Sequence, residues 1–495
     1  MISIRTITGT ITGFTLLFIF FFSCRPAVPD IQDALVITDV SVIDAEAGLR
    51  ENQTVYLKDG RILSIVPSAD APASSSNTVI DGSGKYLIPG LWDAHVHFDY
   101  AEPLAPSMFA LFLGYGVTSV RDTGGRLEKV KAWRDAAGRD STAAPRVKMA
   151  GPLLDGDRNV YDGSAPNLPP LSVGSGSVTE VLDLLKELED AEVDFLKAYE
   201  MLTPDQLLAI TKRAREMGLK VTGHIPLSMD AVSASNAGMN CMEHLRNLEV
   251  SCAANADELL EKRLKMLALD ENIGGSVLRS RIHAAQRTEA MAKQDSAKTA
   301  EVLRVLAANN TWQVPTLALN TFRNRMYVNR PDFQESVKFL PDSLSQNWLE
   351  GMKALGTRTF SAAAKASGTW SMKMIKPLHA AGVEIMAGTD CPIAYLTPGY
   401  SLHEELAVLV ESGLTPLEAL KTATLNPARF FGMEDTLGLV RKGYLADLVL
   451  LDANPLEDIR NSTKIQAVIR AGRYYSRREL DALLKSAKKP GRRIR

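Results

Sequence analysis

Apolar and polar residues alternate with period two from Ala34 to Ser68, in the runs ALVITDVSVIDA, TVYLKDG and RILSIVPS. That alternation predicts strands with one buried face, and Asp59-Gly60 between two such runs predicts a hairpin turn. A Pro/Ala/Ser stretch over 68–76 reads as a surface loop, and another strand follows in TVIDGSGKYLIPG. About 55 residues of strand and turn are too few to bury a comfortable core alone.

From Leu91 the pattern changes. Short apolar runs now alternate with stretches of helical period: LWDAHVHF, TSVRDTG (118–124), RVKMAGPLL (146–154), FLKAY (195–199), KVTGHI (220–225), CMEHL (241–245), TWQVPTLAL (311–319) and EIMAGTD (384–390). Helical segments lie between them, such as 177–191, where Ser177 is placed to cap, and 204–217. Eight strands with intervening helices predict an α/β fold, a TIM-like parallel (β/α)8 barrel over 89–433. Residues 253–310, rich in Lys, Arg and Glu, exceed what a connection needs. They predict two or three amphipathic helices inserted over the barrel mouth, as a lid or an oligomer contact. Residues 341–381 are a second helical excess. Past Asn426 strand-like text returns, LGLVRKGYLADLVLLDANP and KIQAVIRAGRYYS. Segments 34–88 and 434–478 are therefore expected to form one small β-sandwich from both chain ends. The stretch 479–495, with Lys485, Lys488, Lys489, Arg492, Arg493 and Arg495, reads as a frayed basic tail.

Composition narrows the setting. The 495 residues allow one large domain and a smaller one. A net charge of −2 gives no reason to expect nucleic acid binding. Cys24, Cys241, Cys252 and Cys391 have no metal-type spacing and make no disulfide framework; Cys241 and Cys252 could pair, but read as free buried thiols. Arg5 precedes an apolar run from Ile7 to Phe22, the pattern of a secretory signal peptide over 1–24. That run is short of the ~20 residues a membrane-spanning helix needs. Ser23-Cys24 resembles a lipoprotein cleavage site, so membrane attachment through lipidated Cys24 and an extracytoplasmic location are expected; an uncleaved signal anchor is the alternative.

In a barrel of this kind reacting groups gather at the C-terminal ends of the strands. Asp93, His95 and His97 share one face of the first predicted strand, and two imidazoles at i and i+2 point the same way, as ligands of one metal ion must. The chain has seven histidines. Four of them, His95, His97, His224 and His244, end predicted strands, as does Asp390, while Lys197 lies on the fourth. Singly, each has a plainer reading: a satisfied buried histidine, an ion pair of Lys197 with Glu243, a loop cap at Asp390. His283 and His379 fall in helical segments and read as packing or surface groups. Cys391 reads as packing, and Asp93 as a group that orients the histidines.

Taken in order, PGLWDAHVH, DFLKAY, GHIP, EHL, AGTD, LTPLEALKTATLNPARFFG and the GLVRKGYLADLVLLDANPL stretch resemble the amidohydrolase superfamily, in its imidazolonepropionase-like and prolidase-like branch. The resemblance implies a binuclear centre of two divalent ions, usually zinc. His95, His97 and Asp390 would bind one ion, His224 and His244 the other, with Lys197, carboxylated on its amine, bridging both. Imidazole and carboxylate are proper zinc ligands, whereas a free ammonium is not, so Lys197 serves only as a carbamate. Two ions about 3.5–4 Å apart make a hydroxide available near neutral pH. Asp390 would take its proton and pass it to the leaving nitrogen, and His244 or His224 would stabilise the oxyanion. Tyr199, Arg246 and His403 are the candidate substrate contacts, Arg246 for a carboxylate; Asp122, Thr123, Trp312 and Thr316 are further ones. The expected activity is metal-dependent hydrolysis of a C–N bond in a small amide, cyclic amide or dipeptide. A prolidase-like dipeptidase, a lactone or phosphotriester hydrolase, and an inactive lipid-anchored binding protein are the alternatives.

Overall fold

The computed structural model describes residues 31–72, 77–165, 167–269 and 273–489. The expected signal peptide, Cys24 and the last six residues of the basic tail lie outside the described residues.

Strand Leu35–Asp44 pairs antiparallel with Gly48–Lys58, which pairs in turn with Arg61–Pro67. Asp59 and Gly60 both have positive φ, 51° and 73°, as the tight hairpin between them requires. Tyr86–Pro89 lies parallel beside the first strand. Leu448–Leu451 then adds antiparallel to Tyr86–Pro89, followed by Ile465–Arg470 and Arg473–Ser476. Thr78–Asp81 also lies parallel to the first strand, so the chain ends meet, but hydrogen bonds join all eight strands into one sheet where two stacked sheets were expected. Ile37, Val42, Leu57, Leu448 and Leu450 form its apolar core with Val440 and Tyr444.

Pro89-Gly90 leads out of this sheet into the α/β part. Leu91–Val96, Val117–Asp122 and Arg146–Met149 make one parallel three-stranded sheet. Leu153–Gly156, Leu196–Ala198, Val221–Gly223, Cys241–Glu243 and Trp312–Val314 make a second, with Ser172–Ser175 at its outer edge. Single bridges, Gln313 to Ile385 and Val96 to Cys391, tie the two sheets together through 385–391. The ladder is not continuous round the ring, since the predicted 146–154 strand divides between the two sheets.

Two other predicted strands differ for visible reasons. The run 311–319 stops at Val314, because Pro315 has no N–H to donate and Thr316 is left-handed at φ 45°; Leu317–Asn320 is a helical turn. The run 384–390 makes only the single bridges. Gly388 is pressed so close to Leu91–Val96 that a Cβ there would lie 2.8 Å from that of His95, and Asp390 turns the chain at φ 66°.

The insertion is helical as predicted, in Ala256–Ala268, Gly275–Ala292 and Ser296–Ala308. The basic tail is not frayed up to Lys489. Ser476 and Glu479 form a capping box on helix Arg477–Ser486, and Leu480 and Leu484, one turn apart, are buried against Ala105–Gly114. Among the described residues no helix is long and apolar enough to cross a membrane, and Cys241, Cys252 and Cys391 are buried and unpaired.

Candidate metal and catalytic site

Five of the six candidate ligands lie in short strands or directly after them, and Asp390 lies on the turn after Gly388. His95 is the penultimate residue of Leu91–Val96 and His97 follows that strand; Lys197 is central in Leu196–Ala198; His224 and His244 come directly after Val221–Gly223 and Cys241–Glu243. Gly223 is the residue that permits this spacing. Its φ of +137° and the Ala198 carbonyl oxygen, which would sit 2.0 Å from a Cβ, leave room for glycine alone. The strands carrying Lys197 and His224 can therefore lie close together. Asp93 accepts from Thr389 N and Oγ1 at 3.0 and 2.7 Å and from His95 N at 3.2 Å. It thus fastens the turn bearing Asp390 onto Leu91–Val96, through Thr389 and the His95 backbone rather than through an imidazole ring.

The four imidazoles form a chain, with centroids 5.3 Å apart for His95 and His97, 4.7 Å for His95 and His244, and 4.7 Å for His244 and His224. Three are held by Nδ1. His97 Nδ1 donates to the Gly124 carbonyl and His224 Nδ1 to Glu200, both at 2.7 Å, and His244 Nδ1 is hydrogen-bonded to Thr316 Oγ1 at 2.7 Å. Fixing Nδ1 sets the ring and, where the partner is a carbonyl or carboxylate as for His97 and His224, the tautomer that keeps Nε2 for a ligand. Asp390 Oδ1 lies 3.3 Å from His95 Nε2 and 3.2 Å from His97 Nε2. Lys197 Nζ touches Glu243 Oε2, whose other oxygen accepts from the buried Arg121 at 2.7 Å.

Burial sets the protonation of this cluster. It drives the Lys197 ammonium well below the ordinary lysine range, and Arg121 adds to the effect. Burial also keeps His95 and His244 neutral and pushes His224 down to about 3. His97 is desolvated too, but the hydrogen bond and charge of Asp390 outweigh this and raise it. Burial opposes the charge on Asp390, yet His95 and His97 hold it well below the carboxylate range.

A metal ion suits these residues. Asp390 Oδ1, His95 Nδ1, Lys197 Nζ and Glu243 Oε2 are buried without a well-formed hydrogen bond, which is rare unless an ion or water completes them. Two triads, His95–His244–Asp390 and His224–Glu243–His244, place ligand atoms within 4.8 Å of one another. Glu243 stands in the second triad beside Lys197, a neighbour the strand pattern gave no reason to count as a ligand.

Tyr199 and Arg246 line one cavity with His95, His97, Lys197, His224, His244 and Asp390. His403 does not. It is buried in helix Tyr400–Glu411 and bound to Ser462 Oγ and the Tyr115 carbonyl at 2.8 and 3.0 Å. Trp312 packs with Phe430 and Val314 beneath the site. His379 is a surface group paired with Glu418. His283, by contrast, reaches the site region: its Nε2 lies 2.8 Å from Glu200, the carboxylate holding His224. Arg279, His283 and Arg287 recur every four residues along Gly275–Ala292, a polar stripe that was the available signal for them. Glu200 carried no such signal.

The amidohydrolase family model matches residues 86–474. The chain belongs to the amidohydrolase family. This amidohydrolase is 44% identical over 90 residues to the ochratoxinase of Aspergillus niger, a match spanning only 18% of either chain. It is 25% identical over 422 residues to the imidazolonepropionase of Rhizorhabdus wittichii, covering 82% of this chain and 89% of that one. Among solved structures, a Xaa-Pro dipeptidase with methionine bound in its active site superposes with a TM-score of 0.64 over 90% of this chain and 100% of that one. At 20% identity that likeness concerns the fold.

Proposed function

We propose that this amidohydrolase hydrolyses the C–N bond of a small amide, using two divalent ions, zinc by preference, held by His95, His97, His224, His244, Asp390 and carboxylated Lys197. The observation that carries the reading is the run of four imidazoles, three fixed at Nδ1, around one depressed carboxylate and one neutralised lysine. A neutral Lys197 amine is the form that adds carbon dioxide at Nζ. When bound, the ions supply Lewis-acid polarisation and acidify water. Asp390, kept ionised by His95 and His97, accepts a proton at Oδ1 and returns it to the leaving nitrogen. The Tyr199 ring, beside His224 with ring centroids 4.3 Å apart, forms part of the cavity wall, and its hydroxyl accepts from Arg279 at 3.1 Å. The discontinuous ring of strands is read as a (β/α)8 barrel, in keeping with the family. An extracytoplasmic, Cys24-anchored location completes the proposal, resting on the Ile7–Phe22 run. Cleavage of dipeptides is the second reading, favoured by Arg246 in the cavity and by the likeness to the Xaa-Pro dipeptidase.

The test is to purify the protein without its first 24 residues, measure bound metal, and screen dipeptides, N-acyl amino acids, hydantoins and lactones beside Lys197→Ala. About two ions per chain and Lys197-dependent amide hydrolysis are expected. Less than one ion after zinc supplementation, or a Lys197→Ala variant as active as the parent, overturns the mechanism.

A further inference from the structure

The inserted helices help enclose a cavity that shares no residue with the metal site. It lies between Ala231–Asn236, Leu248–Ser251, Ala256–Ala268 and Ser296–Ala308, with a volume of about 200 Å³. Arg263 lines it and is 1% exposed. Its Nε donates to Gln286 Oε1 at 2.9 Å, and Gln286 donates in turn to the Leu259 carbonyl at 2.6 Å, so the guanidinium plane is fixed. Among the described residues Nη1 and Nη2 have no acceptor, and no carboxylate lies within ion-pair distance. The group stays charged at any working pH. Burial opposes that charge, and the two acids that offset it, Glu249 and Glu200, are already paired with Arg287 and His283. A buried charge without its own partner is costly, and an acceptor in the cavity relieves it.

The rest of the lining selects the acceptor. Buried Ser251 accepts from Ala231 N at 2.9 Å, which leaves its hydroxyl hydrogen to donate. Val250, Leu260 and Val302 supply apolar wall. On the exposed side stand Asp257 and Glu301, without partners among the described residues, against a single lysine, Lys298. Asp230 is occupied, taking Ser233 N at 2.9 Å and Ser233 Oγ at 2.6 Å. The cavity is thus positive at its buried end and acidic towards solvent. A simple anion such as phosphate would be repelled on entry, whereas a molecule with one charge of each sign matches both ends.

We propose that this cavity binds a free aliphatic α-amino acid, with its carboxylate on Nη1 and Nη2 of Arg263, its ammonium towards Asp257 and Glu301, and its side chain against Val250, Leu260 and Val302. A carboxylate accepting both Nη groups makes charge-assisted bonds of the strong, directional kind. Pockets for drug-sized ligands begin at ~300 Å³, so about 200 Å³ suits one amino acid and excludes a longer peptide. No group of the metal cavity takes part, so the site stands whether or not the hydrolytic reading does.

The test is calorimetry on the full chain in detergent with L-leucine, 4-methylpentanoate, which lacks the ammonium, and 3-methylbutylamine, which lacks the carboxylate. Leucine is expected to bind, and each single-charge analogue to bind about 10- to 100-fold more weakly, the range for a charge-assisted pair. Arg263→Gln should abolish leucine binding, and so should Leu260→Trp, which fills the cavity without touching a charge. Asp257→Asn with Glu301→Gln should bring leucine down to the level of 4-methylpentanoate. Arg246→Gln, in the metal cavity, should leave leucine binding as in the parent; thermal denaturation checks the fold of every variant. No leucine binding at about 10 mM, where a millimolar site is mostly filled, overturns the proposal. Binding that survives both Arg263→Gln and Leu260→Trp, or that is lost in Arg246→Gln, overturns it by placing the amino acid elsewhere. So does 4-methylpentanoate binding as tightly as leucine, since Asp257 and Glu301 would then recognise nothing.

Discussion

Replacing His403 with glutamine should remove an acid sensitivity built into helix Tyr400–Glu411. The Tyr115 carbonyl can only accept, so His403 carries its hydrogen on Nε2, and Nδ1 accepts from the Ser462 hydroxyl. Burial pushes this ring down to about 4 from an ordinary value of 6.5. The folded chain thus keeps a neutral ring while the unfolded chain takes up a proton. The stability this represents is complete above pH 6.5 and is lost as pH falls from there through about 4, at about 1.4 kcal/mol per pH unit. By pH 5.0 the loss is about 2 kcal/mol. Glutamine can donate to Tyr115 and accept from Ser462 without titrating, so the difference in urea stability between pH 7.5 and 5.0 should shrink by about 2 kcal/mol in the variant. An unchanged difference would refute the argument. Lost turnover at unchanged stability would instead restore His403 to the substrate role its position in the sequence suggested.

Glu405 should behave in the opposite sense. Burial raises it to about 8 from 4.5, so its contribution is full below pH 4.5 and lost as pH rises through 8. Glu405→Gln should gain on the parent by about 1.4 kcal/mol per unit between pH 6 and 8, and parallel denaturation curves would contradict this. Gly223→Ala forces a Cβ against the Ala198 carbonyl, and a loss of about 3 kcal/mol or more is expected in thermal denaturation. Thr316→Val removes the partner of His244 Nδ1 and should weaken metal retention about 10- to 100-fold in competition with a chelator, at near-parental stability. Leu484→Ala opens the contact with Gly114 and should cost about 2–4 kcal/mol, with faster proteolysis after Ser476.

The groups that gather in the site were legible because each ends a short apolar run, a local property of the text. His95, His97, Lys197, His224, His244 and Asp390 line one cavity for that reason. Glu200 was passed over, and His283 was read as a packing or surface group, because their significance depends on partners; Glu243 was foreseen only as the ion-pair partner of Lys197, the contact the structure shows. Glu200 matters through His224, 24 residues later, and His283 through a helix laid across the strands. In the fold, period-two reading overran at Pro315 and at Gly388, where one missing N–H and one close approach stop a strand that hydrophobicity would continue. The tail was misread the other way. Its six basic residues masked the buried pair Leu480 and Leu484, and two leucines one turn apart outweigh charges that solvent accommodates freely.

The pairing of Leu448–Leu451 with Tyr86–Pro89 also constrains the order of assembly. Ile88 and Val449 are partners across roughly 360 residues, so at ~5–20 residues per second of synthesis the N-terminal strands wait on the order of 20–70 s for their sheet to be completed. During that interval the edge of Tyr86–Pro89 that Leu448–Leu451 will cover is unpaired, and unpaired edges recruit foreign strands. A chain of this kind therefore depends on being held open until its last tenth has emerged, and chaperone demand during synthesis belongs to its topology as much as to its stability.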